Sequence, residues 1–369
     1  LFLAPPVQTS MIQVFLKSAK ILTMNHSITV QPSGRQYQAA EDETLLSAAI
    51  QASIGLPYGC KDGACGSCKC QLISGEVQRL DHSAKALSAD EAAAGMILTC
   101  RTQARSDVVI ESRSVTAANE YPVRKMPVRV TRIDRLSSDV VRVFLQLPPN
   151  DTFEFYPGQY IDVLLKDGSR RSYSMANVPA AMGGPSQQIE LHIRHMPGGT
   201  FTEHVFSAMK EKEILRIEGP LGSFRLQKES STPAIMLASG TGFAPIKGLL
   251  EQLEALSNKR SVRVYWGGRR PSDLYLNDWL VAYCQRNPQV SYVPVVSDAL
   301  DEDQWSGRTG FVHHAVMQDH PNMSQQEVYA CGAPVVVQTA RQDFVAQCSL
   351  NEENFFSDAF TTRADLAKA

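Results

Sequence analysis

Residues 58 to 70 read YGCKDGACGSCKC, four of the chain's eight cysteines in one short loop. Cys60, Cys65 and Cys68 follow the spacing C-x4-C-x2-C, and Cys100 stands alone further on, in MILTC. Gly59, Gly63, Ala64, Gly66 and Ser67 fill the gaps with little or no side chain, so the backbone can wrap tightly and turn its amides inward. Either a metal centre or a disulfide framework could use such a loop, and the remaining sequence has to decide between them.

With 369 residues, a net charge of -2 and 43% hydrophobic residues, the chain is far longer than a disulfide-stapled scaffold and has room for two or three domains. No basic block marks a nucleic-acid partner, and no apolar run reaches the length of a membrane span. The opening LFLAPPVQTSMIQVFLKSAK lacks a basic start and a small-residue cleavage site, so a cytoplasmic location is expected, with residues 1–23 an extension outside the folded core. In a reducing compartment, thiols this close together hold metal more often than they pair. C-x4-C-x2-C closed by a distant fourth cysteine is the ligand spacing of a plant-type 2Fe-2S cluster. Zinc, the competing reading, normally uses two C-x2-4-C knuckles, and Cys100 has no such neighbour. The spacing therefore favours Cys60, Cys65, Cys68 and Cys100 as cluster ligands, and Cys70 is expected to be a small buried side chain.

The segment around these cysteines resembles the plant-type ferredoxin domain, a β-grasp of mixed sheet and helix, from about Met24 to Ser112. Within it, HSITVQPSGRQYQAA reads as two strands joined at Ser33-Gly34, and a helix is expected from near Asp42 on the spacing of Leu45, Leu46, Ala49 and Ile50. Ser88 with Glu91 three residues later reads as a capping box. The polar stretch from about residue 112 to 126 is expected to be a linker. Short Val- and Ile-rich runs broken by turn signals then suggest a small antiparallel barrel.

RSYS, Arg171 to Ser174, lies in that second region; alone it reads as an ordinary strand with a solvated Arg and a half-buried Tyr. It keeps company with FEFYPGQY, RHMPGGTFTEHV and IEGPLGSF, and in all four places the chain is similar to the flavin domain of the ferredoxin reductase superfamily. That resemblance implies FAD, with Arg171 on its pyrophosphate through a planar fork, Ser172 beside it, Tyr173 against the ring and Ser174 near the reactive N5. It also implies that Gly198, Gly199, Thr200 and Thr202 present amides and a hydroxyl to the diphosphate at a helix start. His192 and His195, which flank Arg194, are expected to be structural.

After residue 232 the pattern alternates strand and helix, as a parallel sheet requires. Gly240-Thr241-Gly242 forms the tight turn where dinucleotide phosphates would meet a helix, with Ala244-Pro245 in place of the usual third glycine. This departure matches the same superfamily. There, by resemblance, Cys331 of the CGAP stretch sits at the hydride-transfer point with Gly332 beside the nicotinamide, whereas its bland reading is a small buried residue. Arg269 and Arg270 follow the second strand of this region, and Arg269 is taken to read the adenosine ribose. NADH is the expected donor and NADPH is left open.

The expected architecture is multidomain α/β: a β-grasp ferredoxin domain over 24–112, an antiparallel flavin barrel over 127–228 and a parallel-sheet nicotinamide domain over 232–369. The domain order resembles that of CDP-6-deoxy-3,4-glucoseen reductases and of the reductase components of Rieske oxygenases. It implies an oxidoreductase passing electrons from NAD(P)H through FAD and a 2Fe-2S cluster to a partner protein: a Rieske-type oxygenase, a monooxygenase hydroxylase or a PMP-dependent sugar dehydrase. A flavin belongs in the middle because a nicotinamide delivers two electrons together and the cluster takes one. Ten acidic against seven basic residues from Met24 to Ser112 are too even a balance to choose among these partners. The alternatives are a free-standing flavin reductase with a vestigial cluster and a zinc-binding scaffold.

Overall fold

The computed structural model describes residues 24–112, 115, 121–149, 153–184, 187–227 and 230–360; the expected extension over 1–23 and the middle of the expected linker lie outside these. Three large sheets follow one another along the chain, and a two-stranded one, Val77–Arg79 with Thr102–Ala104, accompanies the first. The first is mixed, in the order Arg35–Ala40, Asn25–Gln31, Val108–Glu111, Lys69–Ser74, Met96–Leu98, with only Asn25–Gln31 and Val108–Glu111 parallel. Its helix, Leu45–Gln51, begins later than the expected start near Asp42. Thr44 is the reason: its hydroxyl accepts the Ser47 N–H at 3.2 Å and so caps the helix, leaving Asp42 and Glu43 in the preceding turn. The capping box forms as read, Ser88 and Glu91 bonding each other's backbone to open Ala89–Ala93.

The second sheet is antiparallel throughout, in the order Arg170–Ser174, Tyr160–Leu164, Ile214–Leu221, Arg124–Arg135, Val140–Gln146, Gln188–Arg194. Its two edges meet where Met175 bridges Leu191. Strand Arg124–Arg135 reaches into the expected linker, because Arg124, Lys125 and Met126 pair with Gly219, Glu218 and Ile217, and Met126 is buried. The third sheet, in the order Arg308–Thr309, Val290–Val296, Val262–Gly268, Ala234–Ser239, Glu327–Gly332, Phe355–Ala359, is parallel at every pairing, as the alternating pattern predicts. Among the described residues no helix is long and apolar enough to cross a membrane.

The units interlock. Tyr160 and Leu221 of the second sheet join the buried core of the first, and Cys65 of the cysteine loop packs with Ile235, Leu237 and Phe355 of the third. A buried ionic network ties the second unit to the third: Lys247 Nζ donates to Glu190 at 3.1 Å, Glu251 at 2.6 Å and the Ala176 carbonyl at 2.9 Å. Neutral His192 completes it, Nε2 bonding Glu190 at 2.8 Å and Nδ1 facing the Tyr275 hydroxyl at 3.0 Å, its pKa held down by burial. Burial works against the Glu190 carboxylate, yet its bond to His192 and the charge of Lys247 hold it at about 2, below the ordinary 4.5. Its contribution to stability is therefore in place above about pH 4.5 and lost as the pH falls toward 2.

Lys247→Met leaves that carboxylate buried without its cation and is expected to destabilise the protein by about 3–5 kcal/mol at pH 7. Urea unfolding checks this. The loss should shrink toward pH 3, where Glu190 in the variant takes up a proton, and Lys247→Met with Glu190→Gln should recover part of it.

Candidate functional site

The cysteine loop folds as its small residues allow. Gly63 has φ +80°, and a Cβ there would stand 2.6 Å from Arg101 and 2.9 Å from His82, so only glycine fits. The four candidate ligands fall into two pairs. Cys60 and Cys65 each point an amide at the other's sulfur at 3.3 Å, and the sulfurs of Cys68 and Cys100 lie 3.2 Å apart. Their shared hydrogen bond pushes the Cys60 thiol up and draws Cys65 down to about 6, and the bond to Cys68 pushes Cys100 up. Metal loading must therefore release protons.

Among the described residues no three of these sulfurs come within 4.8 Å of one another. A tetrahedral zinc would hold all four about 3.8 Å apart. Two separated thiol pairs, with the Ser67 amide also turned to Cys65 at 3.5 Å, suit two irons better than one zinc. Cys70 is buried on the following strand, as expected.

Arg171, Ser172, Tyr173 and Ser174 occupy the edge strand of the second sheet. The Arg171 guanidinium donates to the Arg170 carbonyl at 2.7 Å and has no carboxylate within ion-pair distance among the described residues, so its charge is available to an anion. Tyr173 is half-buried, its ring 5.6 Å from Phe201, and this contact joins the strand to helix Thr200–Ser207. Gly198, Gly199 and Thr200 form the turn into that helix, with Gly198 at φ +75° and its amide on Glu203 at 3.1 Å. The Thr202 hydroxyl is spent on the turn itself, donating to Met196 at 3.0 Å and Gly199 at 3.2 Å, and so holds the loop's shape. His195 pairs with Glu203 at 3.2 Å, so both histidines have structural partners.

In the third unit, Gly240, Thr241 and Gly242 make a single turn before helix Phe243–Ala255, whose first positions are buried Ala244 and Pro245. A Cβ on Gly242 would lie 2.2 Å from the Cys331 carbonyl, so this glycine is what lets the turn press against Cys331 and Gly332. Cys331 is fully buried, and burial pushes its thiol well up. Arg270 is committed to Glu302 and Asp303 at 3.1 and 2.8 Å. Arg269 is exposed, its backbone N–H anchored by Asp273 at 2.8 Å and its guanidinium without an ion pair among the described residues.

One residue that sequence reasoning missed joins all three units. Asp358 pairs in register with Cys331 and accepts a hydrogen bond from the Ser174 hydroxyl at 3.3 Å. A Cβ on Gly59 in the cysteine loop would stand 3.4 Å from its Oδ1 and 3.5 Å from Cys65 Sγ. Burial pushes this carboxyl up to about 7, the Cys65 charge pushes the same way, and the Ser174 bond opposes both. Lys61 is a second such link, reaching from the cysteine loop to buried Asp162 at 2.9 Å, while Ser172 donates to the other Asp162 oxygen at 2.6 Å.

Comparison with known proteins agrees with this layout. Residues 28–105 match the 2Fe-2S iron-sulfur cluster binding domain, 127–226 the oxidoreductase FAD-binding domain and 236–342 the oxidoreductase NAD-binding domain. The CDP-6-deoxy-L-threo-D-glycero-4-hexulose-3-dehydrase reductase of Yersinia pestis is 39% identical over 340 residues, 91% of this chain and 99% of its own length. The chain belongs to this family of iron-sulfur flavoprotein reductases. Reductase component 1 of terephthalate 1,2-dioxygenase from Comamonas is 33% identical over 92% of this chain and 98% of its own. Among solved structures, the Amycolatopsis cytochrome P450 reductase superposes with a TM-score of 0.74 at 29% identity, covering 91% of this chain and 99% of its own. This reductase is thus an oxidoreductase with 2Fe-2S, FAD and NAD domains, and the four cysteines, the RSYS strand and the GTG turn all fall inside the matched segments.

Proposed function

We propose that this reductase takes electrons from NADH and passes them through FAD and the 2Fe-2S cluster to a partner protein in the cytoplasm. Two partner classes fit its relatives' names, a deoxysugar dehydrase and an oxygenase. In this reading 24–112 is a β-grasp ferredoxin domain, 127–228 a closed antiparallel flavin barrel and 232–369 the nicotinamide domain. The bound groups supply hydride acceptance and one-electron storage; the chain supplies position. Cys60 with Cys65 and Cys68 with Cys100 hold the two irons. Arg171 and the Gly198 to Thr200 turn neutralise the flavin diphosphate, Ser172 steadies Arg171's neighbour strand through Asp162, and Tyr173 covers the ring. Ser174, Cys331 and Asp358 line the point of hydride arrival, while the Gly240 to Gly242 turn, Ala244, Pro245, Gly332 and Arg269 seat the dinucleotide.

The observation that carries the reading is the convergence at Asp358, where one carboxylate touches the flavin strand, faces the Cys331 strand and borders the cysteine loop. An anaerobic NADH titration followed by visible absorption and electron paramagnetic resonance tests it, with NADPH run in parallel. Flavin bleaching followed by a rhombic reduced-cluster signal is the expected result. Bleaching without that signal would make the protein a flavin reductase, and the absence of any flavin band would return the cysteines to zinc.

The Lys61 to Asp162 link fixes the cysteine loop on strand Tyr160–Leu164, the neighbour of the flavin strand. Lys61→Ala is therefore expected to lower cytochrome c reduction several-fold while NADH reduction of ferricyanide is unchanged, a split that stopped-flow assays of both acceptors would read.

A further inference from the structure

Helices Val312–Asp319 and Pro334–Gln347 flank the nucleotide sheet and bring together three side chains that the electron route does not use. His313, His314 and Asp343 each offer one ligand atom, and these atoms all lie within 4.8 Å of one another. His313 is 7% exposed, and its Nδ1 is buried with no hydrogen-bond partner. Its Nε2 stands 3.6 Å from Asp343 Oδ2. That is beyond hydrogen-bond range, so Nε2 faces the carboxylate without a bond to it while the buried Nδ1 has no partner, an arrangement that proteins normally avoid for a buried polar atom. The same separation is close to the edge of a ligand tetrahedron around zinc, about 3.4 Å for bonds of about 2.1 Å.

The surroundings favour ligation. Phe311 stacks on His313 at 6.0 Å and meets His314 edge-on at 5.7 Å, holding the two imidazoles 4.2 Å apart. Asp343 Oδ1 accepts from Gln347 at 3.0 Å, which orients the carboxylate and leaves Oδ2 toward the histidines.

We propose that His313, His314 and Asp343 form a site for one divalent transition-metal ion of the zinc type, clipping the two helices together with a fourth position open to solvent. Two imidazoles and one carboxylate suit zinc, whereas calcium and magnesium prefer all-oxygen sets. None of the three residues is among those proposed to hold the cluster, the flavin or the dinucleotide.

The test uses the holoprotein, its iron and flavin measured first, equilibrated with buffered zinc and then analysed for both metals. One zinc per chain is expected, with iron content and ferricyanide turnover unchanged. His314→Asn, which changes an exposed side chain, and Asp343→Asn should each weaken zinc binding by about 100-fold or more, since even an outer-shell partner is worth about 10–100-fold. Equal zinc uptake by the wild type and both variants, or no uptake by protein with full iron, overturns the site. Zinc uptake that displaces iron places the ion on the cysteines and overturns it as well.

Discussion

Replacing Cys65 with Ser is expected to abolish the reduced-cluster resonance signal and bring cytochrome c reduction to background, while NADH reduction of ferricyanide survives. The separation follows from where Cys65 sits. It pairs with Cys60 in the loop, and its side chain joins the core of the third unit. Ser keeps the size of the side chain and loses the thiolate, so one of the two metal pairs is broken with little change in packing. Ferricyanide can take electrons upstream of the cluster; cytochrome c is the acceptor that needs it. Iron analysis and the thermal midpoint distinguish loss of the cluster from loss of the fold. If cytochrome c reduction were unchanged in a variant that lacks the signal, the route through the cluster would be wrong.

Local chemistry was legible in the sequence where a function is carried by neighbours in the chain. Three of the four cluster ligands lie within nine positions, and the glycines that let the loop wrap lie between them. The GTG turn announced itself in the same way, as a strand, two glycines and a helix in succession. What strand order creates was not legible. Asp358 meets Ser174 across 184 positions because the last strand pairs beside Cys331, and in FFSDAF the phenylalanines draw attention first. The structure gives them packing roles: Phe356 stacks on Tyr329 at 5.0 Å, and Phe360 packs against the same core. The Lys247 network was hidden for a similar reason, since a lysine in a helix reads as solvent-facing until Glu190 and Ala176 arrive from another sheet. A cue did exist. An acidic residue in a short apolar strand needs a partner, and asking for one would have pointed to Asp358. The helix start was misjudged because Asp42 and Thr44 both cap well, and only the backbone geometry selects between them.

Ser174→Ala and Asp358→Asn should lower ferricyanide and cytochrome c reduction together, each by about 10- to 100-fold, because a hydrogen bond to a charged group is worth about 1.5–3 kcal/mol. The parallel fall is what sets them apart from Cys65→Ser. Ser174 bonds Asp358, which pairs in register with Cys331, and in the proposed arrangement hydride arrives there, so their loss would starve every later acceptor. Stopped-flow flavin reduction under anaerobic conditions should show the deficit in the first step, with iron content intact. The two changes should also be non-additive: with the hydroxyl gone, removing the carboxylate has little left to disturb, so the double variant should resemble the slower single one. Asp358 further borders the cysteine loop, and its buried carboxyl is expensive to keep there. A fold selected only for stability would place an apolar residue at that junction. Fully additive effects, or a fall in cytochrome c reduction alone, would show that the pair serves the cluster side of the junction and that hydride arrival is organised elsewhere.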